Sequence, residues 1–237
     1  MKLEKVFFKS EHCNIAGVLH LPSHTERPPC VVASHGLLSS KESEKYISLG
    51  HRMAEEGMAL LRFDFRGIGE SEGGEEDQTI SKKLIDLGSA LQFVRSYLGP
   101  NIRVGLVGSS LGGFLSLIQA SKEKAIEALV VWATPLQLKD LETKKQKEDY
   151  PLPPRAFFED LPNHCLLPLL PKVSRCLVIH GEEDELVPPE EPWEIFRHLG
   201  LPKELHVIGG ADHRLFQPDH RRRAIELTVD WFKKFLF

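Results

Sequence analysis

The stretch Ile102-Arg103-Val104-Gly105-Leu106-Val107-Gly108-Ser109-Ser110-Leu111-Gly112-Gly113 decides the fold of this chain. It begins with a short apolar run that predicts a buried strand, passes through Gly108-x-Ser110-x-Gly112, and leads into apolar residues at helical spacing from Phe114 onward. A strand, a sharp turn and a helix in that order predict a nucleophile elbow with Ser110 at its tip. Glycine is expected on either side of the serine because the chain passes too close there for side chains.

The helix predicted after Ser110 would aim its unpaired backbone N–H groups at the space beside the serine hydroxyl. Negative charge builds up in that space during acyl transfer, and these groups would stabilise it. A Gly/Ser-rich turn without a catalytic role is the alternative, because a five-residue pattern of this kind also occurs by chance. The predicted strand and helix on either side favour the elbow.

Length and composition predict a single α/β domain over residues 1–237. The chain has 41% hydrophobic residues and a formal net charge of −4, which provides enough apolar side chains for a sizeable core. Its densest basic cluster, Arg221–Arg223, is only three residues long, so we expect no nucleic-acid partner. The sequence leaves the oligomeric state open.

Cysteine spacing and hydropathy predict the compartment. Four cysteines lie far apart without metal-type spacing, which indicates reduced thiols and no metal site: Cys13, Cys30, Cys165 and Cys176. The residues from Met1 to Val6 carry charges where a signal peptide needs an apolar core, and the longest apolar runs are too short to span a membrane. We therefore expect a soluble, cytoplasmic protein without stable membrane insertion.

Apolar and amphipathic segments alternate along the chain. Strands are predicted over 3–9, 13–20, 30–33, 58–63, the elbow strand, 128–133, 176–180 and 204–208. Helices are predicted around 46–53, over 80–98, after the elbow, around 193–199 and over 225–236. The first two strands are typical of an antiparallel edge hairpin. Together the segments predict a mostly parallel eight-stranded sheet with helices on both faces.

Residues 135–172 interrupt this alternation. The part over 136–149 is charged and predicts a helix, and the part over 150–171 contains six prolines among phenylalanine and leucine residues. An apolar insertion at the carboxyl edge of a sheet predicts a small lid over the site. Phe157 and Phe158 are its candidate substrate contacts. The alternative is an ordinary connecting subdomain that packs for stability.

Ser110 needs two partners, and residues further along the chain supply both. A serine hydroxyl is too weak an acid to react at neutral pH without a neutral imidazole to take its proton and a carboxylate to orient that imidazole. Asp184 follows one predicted strand end downstream of the elbow, and His213 follows the next. Reactive groups of parallel sheets gather at the carboxyl ends of the strands, so all three residues are expected at one edge. The order Ser, Asp, His is the one expected for this fold.

Five motifs in sequence order carry a family resemblance. They are the elbow, His35-Gly36, Asp64-Phe65-Arg66-Gly67-x-Gly69-x-Ser71, His180-Gly181-x-x-Asp184-x-x-Val187-Pro188 and Gly210-x-x-His213. With these motifs the chain resembles the α/β-hydrolase superfamily over nearly its whole length. Its compact size and short lid are similar to those of bacterial serine esterases of the cinnamoyl/feruloyl esterase and monoacylglycerol-lipase-like group.

The resemblance implies a role for each residue. Ser110 would be the nucleophile, His213 the general base and then acid, and Asp184 the residue that orients His213. The backbone N–H groups of Leu37 and Leu111 would form the oxyanion hole. The implied reaction is hydrolysis of a small-molecule carboxylic ester through an acyl-enzyme, without a cofactor. The short lid, rich in Phe and Leu, predicts a small to medium or aromatic acyl group.

Other residues near the same strand ends are alternatives for these roles. They are the histidines His206 and His220 and the acids Glu182, Glu183, Glu185 and Asp212. Asp212, which is next to His213, is expected to make a turn hydrogen bond instead. By the resemblance, His35 and His180 shape strand-end loops without transferring protons. Asp64 and Arg66 are interpreted as a structural turn that holds the loops together.

Other classes of protein fit the sequence less well. A nucleotide-binding oxidoreductase would need G-x-G-x-x-G at the turn and an acidic residue after the following strand, and neither is present. A metal hydrolase would need a pair such as H-E-x-x-H, which the eleven histidines do not form. A non-catalytic binding protein of the same fold stays open, as do peptidase, thioesterase and acyltransferase activities.

Overall fold

One sheet runs through the computed structural model, which describes residues 1–138 and 153–237. Its strands are β1 (Lys2–Ser10), β2 (Cys13–Leu21), β3 (Cys30–Ser34), β4 (Ala59–Phe63), β5 (Val104–Ser109), β6 (Ile126–Trp132), β7 (Cys176–Gly181) and β8 (Lys203–Ile208). They lie in the order β1-β2-β4-β3-β5-β6-β7-β8. The hairpin of β1 and β2 is antiparallel, as predicted, and β2 joins β4 antiparallel. The six strands from β3 to β8 are parallel to one another.

Helices cover both faces of the sheet, which confirms the predicted α/β-hydrolase architecture. The described helices are α1 (Glu44–Glu55), α2 (Ile80–Leu98), α3 (Leu111–Lys122), α4 (Arg155–Asp160), α5 (Glu190–His198) and α6 (Pro218–Leu236). Residues of α1 and α6 pack on one face, and residues of α2, α3 and α5 pack on the other. Within the described ranges, no helix is long and apolar enough to cross a membrane.

The central strands are buried on both faces, which explains their continuous apolar runs. Every residue of β3, β4, β5 and β7 is buried. On the α6 face, the Trp132 indole Nε1 donates a hydrogen bond to Thr228 Oγ1 at 3.0 Å, so this large side chain is buried with its polar atom satisfied. The rigid strands fix the positions of the loops at their carboxyl ends.

Buried charges hold the loops that follow β3 and β4. The Lys41 ammonium contacts the Asp64 carboxylate at 2.8 Å, and both side chains are at most 3% exposed. Arg66 forms a paired contact with Asp86 of α2, Nη2 to Oδ1 at 2.7 Å and Nε to Oδ1 at 2.9 Å, with neither side chain exposed. Asp64 and Arg66 therefore hold loops together, which is the structural role that the sequence predicts for them.

The described part of the insertion packs against the body of the protein. It consists of α4 and two short 3-10 turns, Leu161–Asn163 and Leu167–Lys172. The Asp160 carboxylate accepts hydrogen bonds from the Ser81 backbone N–H at 2.7 Å and the Ser81 hydroxyl at 2.8 Å, which ties α4 to α2. The helix predicted over 136–149 falls almost entirely outside the described residues. The lid and the extent of the domain stay predictions.

Candidate active site

The turn between β5 and α3 has the strained geometry of an elbow. Ser110 has φ 54° and ψ −122°, a conformation that a non-glycine residue adopts only when its surroundings impose it. A Cβ at Gly108 would lie 2.3 Å from the Gly112 carbonyl oxygen, and a Cβ at Gly112 would lie 1.9 Å from the carbonyl oxygen of Ser34. Both glycines are therefore required by space, as the sequence predicts, and Ser110 is held at the tip of the turn.

The loops after β7 and β8 bring Asp184 and His213 together. His213 Nδ1 lies 2.9 Å from both carboxylate oxygens of Asp184, whose side chain is fully buried. The Leu186 and Val187 backbone N–H groups donate to Asp184 Oδ1 at 2.9 and 2.8 Å. Burial raises the pKa of Asp184, but the hydrogen bond from His213 and the two backbone donors outweigh it, so the pKa of this carboxyl lies below its ordinary value.

Ser110 and His213 line one cleft of about 270 Å³. Within the described residues, no hydrogen bond joins the Ser110 hydroxyl to the His213 ring. Catalytic hydrogen bonds are often long in the free enzyme and shorten once the substrate is bound. The structure thus brings the three predicted residues to one edge of the sheet, with the Asp184 contact formed and the Ser110 contact open.

The two predicted oxyanion donors flank the serine. Leu111 is the first residue of α3, so its N–H has no acceptor within the helix. Leu37 lines the cleft and follows Gly36, where a Cβ would come within 3.2 Å of the Ser109 carbonyl oxygen and 3.4 Å of Ser110 Cβ. The loop after β3 therefore passes directly beside Ser110, which is the position that an oxyanion loop requires.

Two other histidines at strand ends have structural contacts. His35 Nδ1 lies 2.8 Å from the Gly36 carbonyl oxygen, and the Phe65 N–H donates to His35 Nε2 at 3.2 Å, so both ring nitrogens are occupied. Burial lowers the pKa of His35 to about 4, which keeps it neutral. His180 Nε2 lies 3.3 Å from the Val187 carbonyl oxygen and 3.5 Å from Asp184 Oδ2. Both residues shape loops, as the resemblance implies.

The alternative partners make other contacts. Of the glutamates, Glu185 accepts the His213 backbone N–H at 3.2 Å and Glu182 accepts the Gly210 N–H at 3.0 Å, so neither contacts the His213 ring. Asp212 Oδ1 accepts the Phe216 N–H at 2.8 Å, which is the turn hydrogen bond expected for it. His206 lies within β8, and its Nε2 is 3.6 Å from Glu204. His220 lies on α6. None of the alternative histidines and acids is among the residues that line the Ser110 cleft.

Charged residues that the sequence analysis missed give the cleft its electrostatic character. Lys45 of α1 donates to Ser109 Oγ at 2.7 Å, and Arg214 and Arg221 line the same cleft. Burial, followed by the cation of Arg214, lowers the pKa of Lys45 to about 8. The position of Arg214 next to His213 was the one available sequence signal. Lys45 had none, because a lysine on an amphipathic helix is usually solvated.

The two predicted lid contacts have other surroundings. Phe157 is fully buried within the hydrophobic core, so its ring is closed to a ligand in this conformation. Phe158 packs against the same core, with its ring edge-on to Phe157 at a centroid distance of 5.6 Å. Neither residue lines the Ser110 cleft. The apolar wall of that cleft comes from Leu37, Leu38, Leu186 and Phe216 instead.

The sheet order and the elbow together define an α/β-hydrolase. The sequence model of the family described as serine aminopeptidase, S33, matches residues 25–157, which is more than half of the chain. The chain therefore belongs to this family, among the esterase-like and thioesterase-like hydrolases of the α/β-hydrolase superfamily.

Similar proteins agree with this placement. The mitochondrial palmitoyl-protein thioesterase ABHD10 of Mus musculus is 30% identical over 214 residues, which cover 80% of this chain and 70% of that protein. The structure of Est1E from Butyrivibrio proteoclasticus with bound ferulic acid has a TM-score of 0.83 at 19% identity and covers 97% of this chain and 98% of its own. The esterase domain of a Rhodothermus marinus protein has a TM-score of 0.81 at 22% identity, with 100% of both chains covered. The two solved structures share the fold.

Proposed function

We propose that this hydrolase cleaves carboxylic esters through an acyl-enzyme on Ser110, with His213 as the base and Asp184 as the residue that orients it. One observation carries the proposal: His213 is hydrogen-bonded to the buried Asp184 at the edge of the cleft that also contains Ser110. A serine, an imidazole and a carboxylate in this arrangement supply a nucleophile, a proton acceptor and the group that selects its tautomer.

The contact with Asp184 decides which nitrogen of His213 can act. An ionised carboxylate can only accept a hydrogen bond, so His213 Nδ1 carries a proton and Nε2 of the neutral ring is left with its lone pair. The lowered pKa of Asp184 keeps this carboxyl ionised at neutral pH. Nε2 is therefore the atom that takes the proton of Ser110.

The reaction then runs in two halves. Ser110 Oγ attacks the acyl carbon while His213 Nε2 takes its proton, and the carbonyl oxygen becomes an oxyanion held by the N–H groups of Leu111 and Leu37. The bond to the alcohol breaks, and His213 returns the proton to the leaving oxygen. Water then attacks the acyl-enzyme with His213 again as base, which releases the acid and restores Ser110. Loss of one oxyanion donor typically costs about 3 kcal/mol in the barrier.

The shape of the cleft supports a small to medium or aromatic acyl group. Its volume of about 270 Å³ is slightly below the range of about 300–1,000 Å³ that is typical of small-molecule pockets. The exposed ring of Phe216 and the side chains of Leu37 and Leu186 offer apolar contact to such a group. Long acyl chains would extend beyond these walls.

Thioester hydrolysis is a second candidate, and the likeness to ABHD10 favours it. That protein is described as a palmitoyl-protein thioesterase and is 30% identical to this chain. The same three residues would act, because the acyl carbon and the acyl-enzyme are the same. A thiolate leaves more readily than an alkoxide, so His213 would contribute less to the departure of the leaving group. The two candidates differ in the leaving atom and in acyl length.

Hydrolysis of phenyl butyrate, S-phenyl thiobutyrate and their sixteen-carbon analogues tests both candidates. We expect the butyrates to be preferred and Ser110→Ala to lower kcat/KM at least about 1,000-fold. Ser121→Ala is the matched control, because Ser121 lies on the same helix with its hydroxyl bonded to the Ile118 carbonyl oxygen. Preference for the sixteen-carbon thioester would instead favour the thioesterase. Full activity of Ser110→Ala would contradict the mechanism, and no turnover of any substrate would favour a binding protein.

A further inference from the structure

We propose that Lys45 and Arg214 form an anion-binding pair that makes the Ser110 cleft select esters carrying a negatively charged group, such as a carboxylate. This inference rests on the proposed function and adds the charge of the substrate to it. The two residues come from different elements, α1 and the loop after β8, and both line the cleft that contains Ser110 and His213.

Lys45 is held close to the nucleophile. Its Nζ donates to Ser109 Oγ at 2.7 Å, and Ser109 is the residue before Ser110. An ammonium group has three N–H donors, so this contact fixes the position of the group and leaves donors for a ligand. The positive charge of Lys45 therefore lies at the wall of the cleft, in contact with the residue that precedes Ser110.

Neither cation forms an ion pair within the part of the chain that the structure describes. Among the described residues, no carboxylate lies within 4.0 Å of Lys45 Nζ or of the Arg214 guanidinium. Arg221, the third cation of the cleft, differs because its Nη2 lies 2.9 Å from Glu44 Oε1. Asp212 is the acid that acts on Lys45 from a distance, but its Oδ1 accepts the Phe216 N–H. Among the described residues, the cleft thus keeps two positive charges without a carboxylate in direct contact.

This arrangement is unfavourable in the free protein and becomes favourable once an anion binds. Two cations at one wall repel each other, and the lowered pKa of Lys45, which follows from burial and from Arg214, reflects that cost. A carboxylate between them would remove the repulsion and form charge-assisted hydrogen bonds with both groups. The apolar part of the same ester would lie along Phe216 and Leu186.

Isosteric ester pairs test the proposal. 4-Carboxyphenyl butyrate against 4-acetylphenyl butyrate places the charge on the alcohol side, and monophenyl adipate against phenyl 6-oxoheptanoate places it on the acyl side. We expect kcat/KM to favour the charged member of at least one pair about tenfold at low salt, and less at high salt. Lys45→Met and Arg214→Gln should each lower that ratio at least fivefold. Arg222→Gln, an exposed arginine on α6 paired with Asp219, should leave the ratio unchanged.

Equal turnover of the charged and neutral members of both pairs would overturn the inference and leave the proposed function intact. A preference that survives both cleft substitutions would also overturn it. If none of the four esters is hydrolysed, calorimetric binding to Ser110→Ala decides: a Kd at least tenfold lower for the charged member of one pair supports the inference. Equal Kd values within both pairs would refute it.

Discussion

His213 Nδ1 lies 2.9 Å from each carboxylate oxygen of Asp184, although the two residues are 29 positions apart in the chain. The backbone N–H groups of Leu186 and Val187 also donate to Asp184 Oδ1, so the carboxylate is held in place by more than the imidazole. The contact therefore depends on the strand ends of β7 and β8 meeting at one edge of the sheet.

Replacing Asp184 by asparagine tests this contact. The amide cannot hold the Nδ1–H tautomer or stabilise the imidazolium, so kcat/KM for phenyl butyrate should fall about 1,000- to 10,000-fold. The measurement is steady-state hydrolysis at pH 7 with thermal unfolding to verify the fold. Glu183→Gln is the matched control, since Glu183 is the exposed acid just before Asp184 and should retain activity within about twofold. A larger loss in Glu183→Gln than in Asp184→Asn would contradict the assignment.

The glycines of the elbow allow a sharp prediction on stability. A Cβ at Gly112 would clash with backbone at 1.9 Å, so Gly112→Ala should lower the free energy of unfolding by roughly 3 kcal/mol or abolish folding. Gly88→Ala on α2 is the control, because its Cβ would come no closer than 3.8 Å to Gln119 Nε2. There alanine should stabilise by about 0.5–1 kcal/mol. Urea unfolding of both variants checks this, and a native-like Gly112→Ala would show that the turn can relax.

The elbow also explains why most of the fold could be predicted from the sequence. The glycine spacing around Ser110 predicts a strand, a turn and a helix. At Gly108 and Gly112 there is no space for a larger side chain, so the turn requires glycine at both positions. The alternation of apolar segments then gives the parallel sheet. Boundaries were less certain: β6 begins at Ile126 instead of residue 128, and α6 begins at Pro218, seven residues before the predicted apolar repeat. Element ends depend on local hydrogen bonds that periodicity does not encode.

Breaking the buried pair of Arg66 and Asp86 should be strongly destabilising, because it leaves a charge in the interior. Both side chains are fully buried, so Asp86→Asn leaves the guanidinium without its buried charge partner and should lower the free energy of unfolding by about 3–5 kcal/mol. Arg66 also contacts Glu11, whose side chain is 46% exposed. Glu11→Gln should therefore cost no more than about 1 kcal/mol. Chemical unfolding of both variants measures the difference, and equal costs would contradict the role of burial.

Acid should destabilise the protein partly through His20. Burial, followed by the nearby Arg62, lowers the pKa of His20 to about 4, whereas an unfolded histidine titrates near 6.5. Between these values the unfolded chain binds a proton that the folded chain does not. The stability is therefore complete above pH 6.5 and falls as the pH is lowered toward 4, by about 3 kcal/mol for this residue.

The test is the pH dependence of urea unfolding in His20→Gln. Glutamine keeps an acceptor for the Arg62 Nε–H, which donates to His20 Nε2 at 3.0 Å, but it does not titrate. The fall in stability between pH 6.5 and 4 should become shallower, while His24→Gln in an exposed loop should leave it unchanged. An unchanged slope in His20→Gln would contradict the assignment.

The site was only partly predictable. Ser110, Asp184 and His213 could be found because each follows a strand at a motif-like spacing. The two cations of the cleft could not be predicted from the sequence. Lys45 and Arg214 are 169 positions apart, and only the tertiary fold brings them to the same cleft. Phe157 was predicted as a substrate contact but is buried in the core. The sequence of an apolar insertion does not show whether an aromatic side chain faces a ligand or the core.

The most direct measurement is the reaction of the protein with a fluorophosphonate, followed by mass-spectrometric mapping of the modified peptide. An activated serine beside a neutral imidazole should be phosphonylated, and the label should lie on Ser110 alone. His213→Gln should abolish the labelling while the protein stays folded. Labelling at another residue, equal labelling of His213→Gln, or no labelling of the intact protein would contradict Ser110 as the nucleophile.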